Sequence, residues 1–351
     1  MDKTIKKIGK PDTALMEKTQ KRLDNLTKPL GSLGKLEELA KNVVGITHNE
    51  NLSFKNKVIF TFAGDHGVTE EGVSAYPKEV TPQMVYNFLR GGAAINVLAR
   101  HTGAKVVVAD LGVRVDLTPG PDLIIKKIGY GTKNFSKGPA MTKEEAVKSI
   151  EAGIEIFENE FSANAIDIAG TGDMGIGNTT PSSAITAVFT NKPVEEVTGR
   201  GTGIDDTALK NKIEVIKKAI GLNKPNPRDP IDVLSKVGGF EIGGLAGVIL
   251  AAAARKTPVI IDGFISGAAA LIACALTPNV KEYIIAAHCS VEKGHRHILE
   301  HIGLEPLLDL NMRLGEGTGA ALGMNLIEAS IKILTQMATF SSAGVSEKLT
   351  L

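Results

Sequence analysis

Short runs of β-branched and apolar residues recur along the chain, each ending in glycine or polar residues: KVIFTFAGDHG (57–67), AKVVVADLGV (104–113), AIDIAGTGDMG (165–175), TPVIIDGFISG (257–267) and EYIIAAHCS (282–290). Continuous apolar runs of this length, bounded by turn residues, are the pattern of strands buried on both faces. Between them lie segments of helix length, at 81–102, 143–161, 179–189, 205–220 and 242–255. Strands alternating with helices predict an α/β fold, a parallel sheet with helices on both faces.

The two ends of the chain follow a different period. Residues 11–46 place Leu23, Leu26, Leu33, Leu36, Leu39 and Val43 at helical spacing around a break at Lys28-Pro29-Leu30-Gly31. After the last strand, 319–338 again has helical character. A return of this segment onto the N-terminal helices predicts a small helical domain from 1–50 and 320–351, with 51–319 as a large α/β catalytic domain.

Ligands of such sheets bind beyond the carboxyl ends of the strands, where the turns carry polar residues. Four turns collect there: GDHG, GTGDMGIGNTT, DGFISG and HCS. In the second, Gly170 to Thr180, glycines allow main-chain N–H groups to converge on an oxyanion and the following helix adds its positive end. Asn178, Thr179 and Thr180 stand where caps and first-turn donors belong. A phosphate is the expected guest, against the plainer reading of a tight turn without a ligand. Gly170 to Gly175 also satisfies G-x-G-x-x-G, but a dinucleotide site needs an acidic residue about 20 residues on at the end of a next strand, and here the helix runs into Asn191-Lys-Pro-Val-Glu-Glu with no clear strand.

A second glycine cluster, Val197-Thr-Gly-Arg-Gly-Thr-Gly-Ile-Asp-Asp206, precedes a helix carrying Lys210 and Lys212. Either lysine can supply countercharge to a phosphate, and a solvated helix face is the equal alternative for each. Glu316 lies between glycines in Arg313-Leu-Gly-Glu-Gly-Thr-Gly319. It suits a general base whose pKa is raised by burial, or else a cap on the helix that follows. His66 and Asp65 are expected to tie loops together. His288, His295, His297 and His301 lack a convincing third partner for zinc, so no metal is expected.

Composition narrows the classes. There are 40 basic and 39 acidic residues, so any anionic ligand must be held locally, and aromatics are only 4% with no Trp, which disfavours a stacking surface for nucleic acid. Neither nucleic acid nor a membrane is an expected partner: the longest uncharged apolar run, 242–254, is too short to span a bilayer. Cys274 and Cys289 read as buried small hydrophobes of a reducing compartment, and the cytoplasm is the expected location.

Taken in order, the motifs LTKPLGSLGKLE (26–37), AGDHGV (63–68), GVSAYPKEVT (72–81), GGAAIN (91–96), GIGNTT (175–180), GRGTGIDD (199–206), DGFIS (262–266) and RLGEG (313–317) resemble the nicotinate-nucleotide:dimethylbenzimidazole phosphoribosyltransferase family over nearly the whole chain. The resemblance implies a Rossmann-like large domain with a small helical one, a homodimer with active sites near the subunit interface, and no cofactor. Its substrates would be nicotinate mononucleotide and a benzimidazole-type base, joined to make the lower-ligand nucleotide of cobalamin. Glu316 matches the family's catalytic base, and Gly175, Ile176, Gly177, Asn178, Thr179 and Thr180 its phosphate cradle, with Gly201 and Lys212 beside it. Tyr76 and Gln83 fall where the base pocket is expected, and Ser290, Arg313 and Leu314 where nucleotide contacts are expected. Asp173 stands where many members carry Glu, one methylene longer, and is the candidate for a second catalytic carboxylate.

The chemistry agrees with a single base. Nicotinate leaves from a pyridinium and needs no proton, while the attacking benzimidazole must lose one. The rivals are a nucleotide-dependent dehydrogenase and a catalytically silent phosphosugar-binding protein; the accepting base stays open among dimethylbenzimidazole, other benzimidazoles, adenine and phenols.

Overall fold

The structure, a computed structural model, describes residues 1–346. Six strands form one sheet among the described residues: β1 (Lys57–Gly64), β2 (Ala104–Gly112), β3 (Leu123–Ile125), β4 (Ile168–Met174), β5 (Val259–Ile261) and β6 (Ile284–Ala286). Their order is β3-β2-β1-β4-β5-β6, and every pairing is parallel. The sequence of strands reverses direction between β1 and β4, so the crevice for a ligand opens between Asp65-His66 and Asp173-Met174-Gly175.

Alternation along β1 explains both layers. Val58, Phe60 and Phe62 enter one core with residues of the Lys143–Ala163, Thr179–Thr190, Phe240–Ala254 and Phe264–Leu276 helices. Ile59 and Ala63 enter the other, with Val43, Val85, Ile95, Met324 and Ile327. The Phe240–Ala254 helix is buried from Phe240 to Ala253, because it lies between the sheet and the Lys143–Ala163 helix; this accounts for its lack of a polar stripe. Thr142 opens the latter helix with a capping box, its Oγ1 accepting from the Glu145 N–H at 3.1 Å.

Four expectations need correction. β3 escaped notice because it is an edge strand whose apolar run, Leu123-Ile124-Ile125, is only three residues long. The helix expected over 81–102 is two, Val80–Leu89 and Ala94–Thr102, broken where Gly91 takes φ +75°. The helical lead-in is likewise Thr13–Asp24 and Lys35–Thr47, with the whole of 25–34 between them. Gly170 and Gly172 belong to β4 and not to a turn, so the match to a dinucleotide fingerprint has no structural basis here.

The ends of the chain do meet: Leu26 and Thr339 form an antiparallel bridge, and the Phe340 N–H donates to the Asn25 carbonyl at 3.1 Å. The Lys35–Thr47 and Thr318–Gln336 helices pack together on the second face. We propose that 1–50 and 320–351 act as a small helical domain there, with 51–319 as the catalytic domain; residues 347–351 lie outside the described ones. No helix among the described residues is long and apolar enough to cross a membrane.

Candidate active site

Glu316 sits in an unusual turn. Gly315, Glu316 and Gly317 are consecutive left-handed residues, with φ of +83°, +65° and +99°. A non-glycine residue in this region costs about 1 kcal/mol or more, and it persists only where surrounding contacts over-determine it. Those contacts come from strand ends: Thr61 Oγ1 on β1 donates to the Glu316 carbonyl at 2.9 Å. On β4, any Cβ at position 172 would collide with that same carbonyl, which is why glycine interrupts this strand. The Glu316 side chain is buried, and its Oε2 accepts from the Ile95 N–H at 3.3 Å. Burial raises its pKa above the ordinary glutamate value, with the Ile95 N–H opposing.

The capping alternative is resolved by a different residue. Asp262, at the end of β5, accepts from the N–H groups of Gly317, Gly319 and Ala320, at 3.1, 2.6 and 3.1 Å, and so closes the N-terminus of the Thr318–Gln336 helix. Glu316 instead receives its N–H from the start of the Ala94–Thr102 helix.

The glycine cradle occupies 175–180. Asn178 and Thr180 N–H groups close the turn onto the Gly175 and Gly177 carbonyls, and the Ile176 N–H donates to Thr81 Oγ1 at 3.1 Å. The N–H groups of Gly177 and Thr179 have no acceptor among the described residues, and they stand at the start of the Thr179–Thr190 helix. Asn178 does not cap with its side chain; its Nδ2 donates to Asp173 Oδ2 at 2.9 Å. Gly177 has φ +90°, and a Cβ there would stand 2.6 Å from Thr69 Cγ2. Gly177→Val should therefore weaken nucleotide binding far more than base binding. Unchanged nucleotide affinity by calorimetry, in a folded variant, would remove the cradle from the site.

Lys212 backs the cradle and Lys210 does not. Lys212 is fully buried, its Nζ donating to Thr179 Oγ1 at 2.7 Å and to the Gly199 carbonyl at 3.4 Å, whereas Lys210 is exposed. Burial pushes Lys212 down to about 8, partly offset by the charge of Glu292. Glu292 is itself buried, and its Oε1 accepts from the Gly201 N–H at 2.9 Å. Arg313 Nη1 donates to the Gly201 carbonyl at 2.9 Å, which ties the Glu316 turn to the cradle.

Asp173 joins the two halves. Besides holding Asn178, its carboxylate lies under the turn: a Cβ on Gly315 would be 3.1 Å from Oδ2. Burial raises its pKa well above the usual aspartate value, and the charges of Asp262, Glu241 and Glu316 add to this against the Asn178 hydrogen bond.

The remaining candidates lie around this centre. Ser290 is buried, its N–H donating to His295 Nδ1 at 2.9 Å. Tyr76 is exposed in the loop whose Ala75 N–H donates to Thr202 Oγ1 at 3.0 Å, next to Gly201. Leu314 is exposed beside Gly315. Gln83 is exposed on the Val80–Leu89 helix, and no hydrogen bond ties it to the cradle among the described residues. Asp65 ties loop to loop as expected, its Oδ2 accepting from the Arg114 N–H at 2.8 Å, whereas His66 meets a helix: its Nε2 is 2.7 Å from Glu241 Oε1 on the Phe240–Ala254 helix, with both side chains buried. Asp262, Glu292 and Glu241 were assigned no role from sequence. Only Asp262 carried a signal, as an acid at the end of an apolar strand.

Fold and site together define a nucleotide-handling α/β enzyme, with a lysine-backed glycine cradle and a buried carboxylate on opposite sides of one switch point. The chain belongs to the phosphoribosyltransferase family whose model matches residues 8–345. It is 61% identical over 347 residues, 99% of this chain and 98% of the relative, to a nicotinate-nucleotide–dimethylbenzimidazole phosphoribosyltransferase of Geotalea uraniireducens. A relative of the same name from Desulforudis audaxviator is 59% identical, with 98% of each chain covered. The crystal structure of the Thermus thermophilus protein of this name superposes with a TM-score of 0.91 at 42% identity, covering 96% of this chain and 100% of that one.

Proposed function

We propose that the chain transfers the phosphoribosyl group of nicotinate mononucleotide to 5,6-dimethylbenzimidazole, or a related lower-ligand base, in the assembly of the cobalamin nucleotide loop. The products are α-ribazole 5′-phosphate and nicotinate. The observation that supports this reading best is the position of Asp173, whose Oδ2 accepts from Asn178 Nδ2 and would stand 3.1 Å from a Cβ on Gly315, so that the 175–180 turn and the turn carrying the buried Glu316 approach each other.

The phosphate rests on the Gly177 and Thr179 N–H groups, with Lys212, Thr179 and Thr180 around it and Gly201 completing the wall. The nucleotide's ribose and nicotinate lie toward Ser290, Arg313 and Leu314, and the incoming base enters past Tyr76 and Gln83. The C1′–N bond to the pyridinium breaks with its electron pair going to the ring nitrogen, so nicotinate departs without a proton. A benzimidazole nitrogen attacks C1′ from the opposite face, inverting β to α. The proton on its other nitrogen passes to Glu316, whose raised pKa suits it to the transfer. Holding both substrates against one fixed phosphate supplies much of the remaining acceleration. Asp173 is the second carboxylate of the site, holding the cradle against the turn.

Incubation with nicotinate mononucleotide and a mixture of dimethylbenzimidazole, adenine and phenol, followed by mass identification of the products, tests the reading. A riboside phosphate of one of these bases is expected. Recovery of unreacted mononucleotide alone, or tight binding of NAD in its place, would sink it.

The enzyme is further proposed to work in the cytoplasm as a homodimer, as the family resemblance implies. Light scattering should then report about twice the 37.0 kDa chain mass, and a fully active monomer would refute this.

A further inference from the structure

Asp262 supplies the one carboxylate that reaches the Glu316 turn from β5, and it does so with both oxygens. Oδ2 accepts from the Gly317 N–H at 3.1 Å, and Oδ1 from the Gly319 and Ala320 N–H groups at 2.6 and 3.1 Å. These donors begin one residue after Glu316, so the bonds fix the left-handed turn from its C-terminal side. The Thr61 hydroxyl fixes it from β1 by its hold on the Glu316 carbonyl, 2.9 Å away. A helix cap alone needs one or two such bonds from a neighbouring residue. Here the acceptor is fully buried, and it lies more than 50 residues away in sequence.

We propose that Asp262 is a positioning residue for the transfer reaction, holding the Glu316 carboxylate at the attacking base through its bonds to the turn that carries it. The inference rests on Glu316 being the general base. Three titratable groups face Asp262. Glu316 itself and Asp173 on β4 interact with it through charge, and His288 beyond β6 has Nε2 3.8 Å from Asp262 Oδ1. Burial pushes Asp262 up to about 7, its three N–H partners opposing and the Glu316 charge adding.

Asp262→Asn tests this. The amide oxygen can still accept on one side, but its NH₂ group faces a donor on the other, and the negative charge is gone. The expected result is a fall in kcat of roughly 10- to 100-fold, the scale of a small misplacement of a reacting group. Affinity for nicotinate mononucleotide, measured by calorimetry, should be unchanged, because the cradle on 175–180 does not touch Asp262. A merely structural role would weaken nucleotide binding along with turnover; that outcome overturns the proposal, as does wild-type kcat. Should Asp262→Asn not fold, Thr61→Val decides, since it loosens the same turn from β1 with little change of shape. Reduced kcat with intact nucleotide affinity supports the proposal, and unchanged kcat overturns it. Glu316→Gln run in parallel separates the two ideas. If it is inactive while Asp262→Asn is normal, only the role of Asp262 fails; if it is fully active, the base assignment itself fails.

Discussion

Glu316→Gln is expected to lower turnover roughly 10²–10⁴-fold while both substrates still bind, the usual worth of general base catalysis. Glutamine keeps the size of the side chain and can still accept the Ile95 N–H, so the left-handed turn has no reason to unfold. What it cannot do is accept the benzimidazole proton. In the wild type, the rate should fall as pH drops through the Glu316 pKa, because the protonated acid is no longer a base. Burial raises that pKa, so the fall should come at a higher pH than an ordinary glutamate would give. The limb should be missing from the variant's residual activity. Steady-state kinetics across pH, with calorimetric binding of each substrate, checks both parts. Near wild-type turnover in a folded variant would return Glu316 to the role of an anchor for the Ala94–Thr102 helix.

Lys212→Met should weaken binding of nicotinate mononucleotide by roughly 10- to 100-fold, the loss of a charge-assisted hydrogen bond worth about 1.5–3 kcal/mol. Methionine preserves most of the buried stem, so the change reports on the charge rather than on a cavity. Burial has already brought the ammonium down to about 8. Wild-type affinity should therefore decline as pH rises through that region, as Lys212 gives up its proton. The variant should show low affinity without this decline. Titration calorimetry at several pH values would show it, and equal affinities for the two proteins would move the phosphate elsewhere. The free base should bind both proteins alike.

The periodic pattern of the chain was enough to determine the alternation of strands and helices, the parallel sheet, and the collection of polar turns at one edge. These are local properties: β-branched runs ending in glycine and a polar residue specify a buried strand and its carboxyl end wherever the strand sits. The same locality picked out Glu316 between its glycines and Gly177 in the cradle. Strand order and side-chain partners are not local, and only the tertiary structure decided them. Gly170 and Gly172 look like turn residues, yet they lie in β4, because the carbonyl of a residue far along the chain packs where a Cβ at 172 would be. Lys210 and Lys212 are indistinguishable by composition, but two residues on a helix turn the side chain to nearly the opposite face, so one meets solvent and the other Thr179. Asn178, placed like a cap, turns to Asp173. Asp262 caps a helix more than 50 residues away, because the sheet order β4-β5-β6 brings the end of β5 under that helix, and no spacing along the chain could announce the contact.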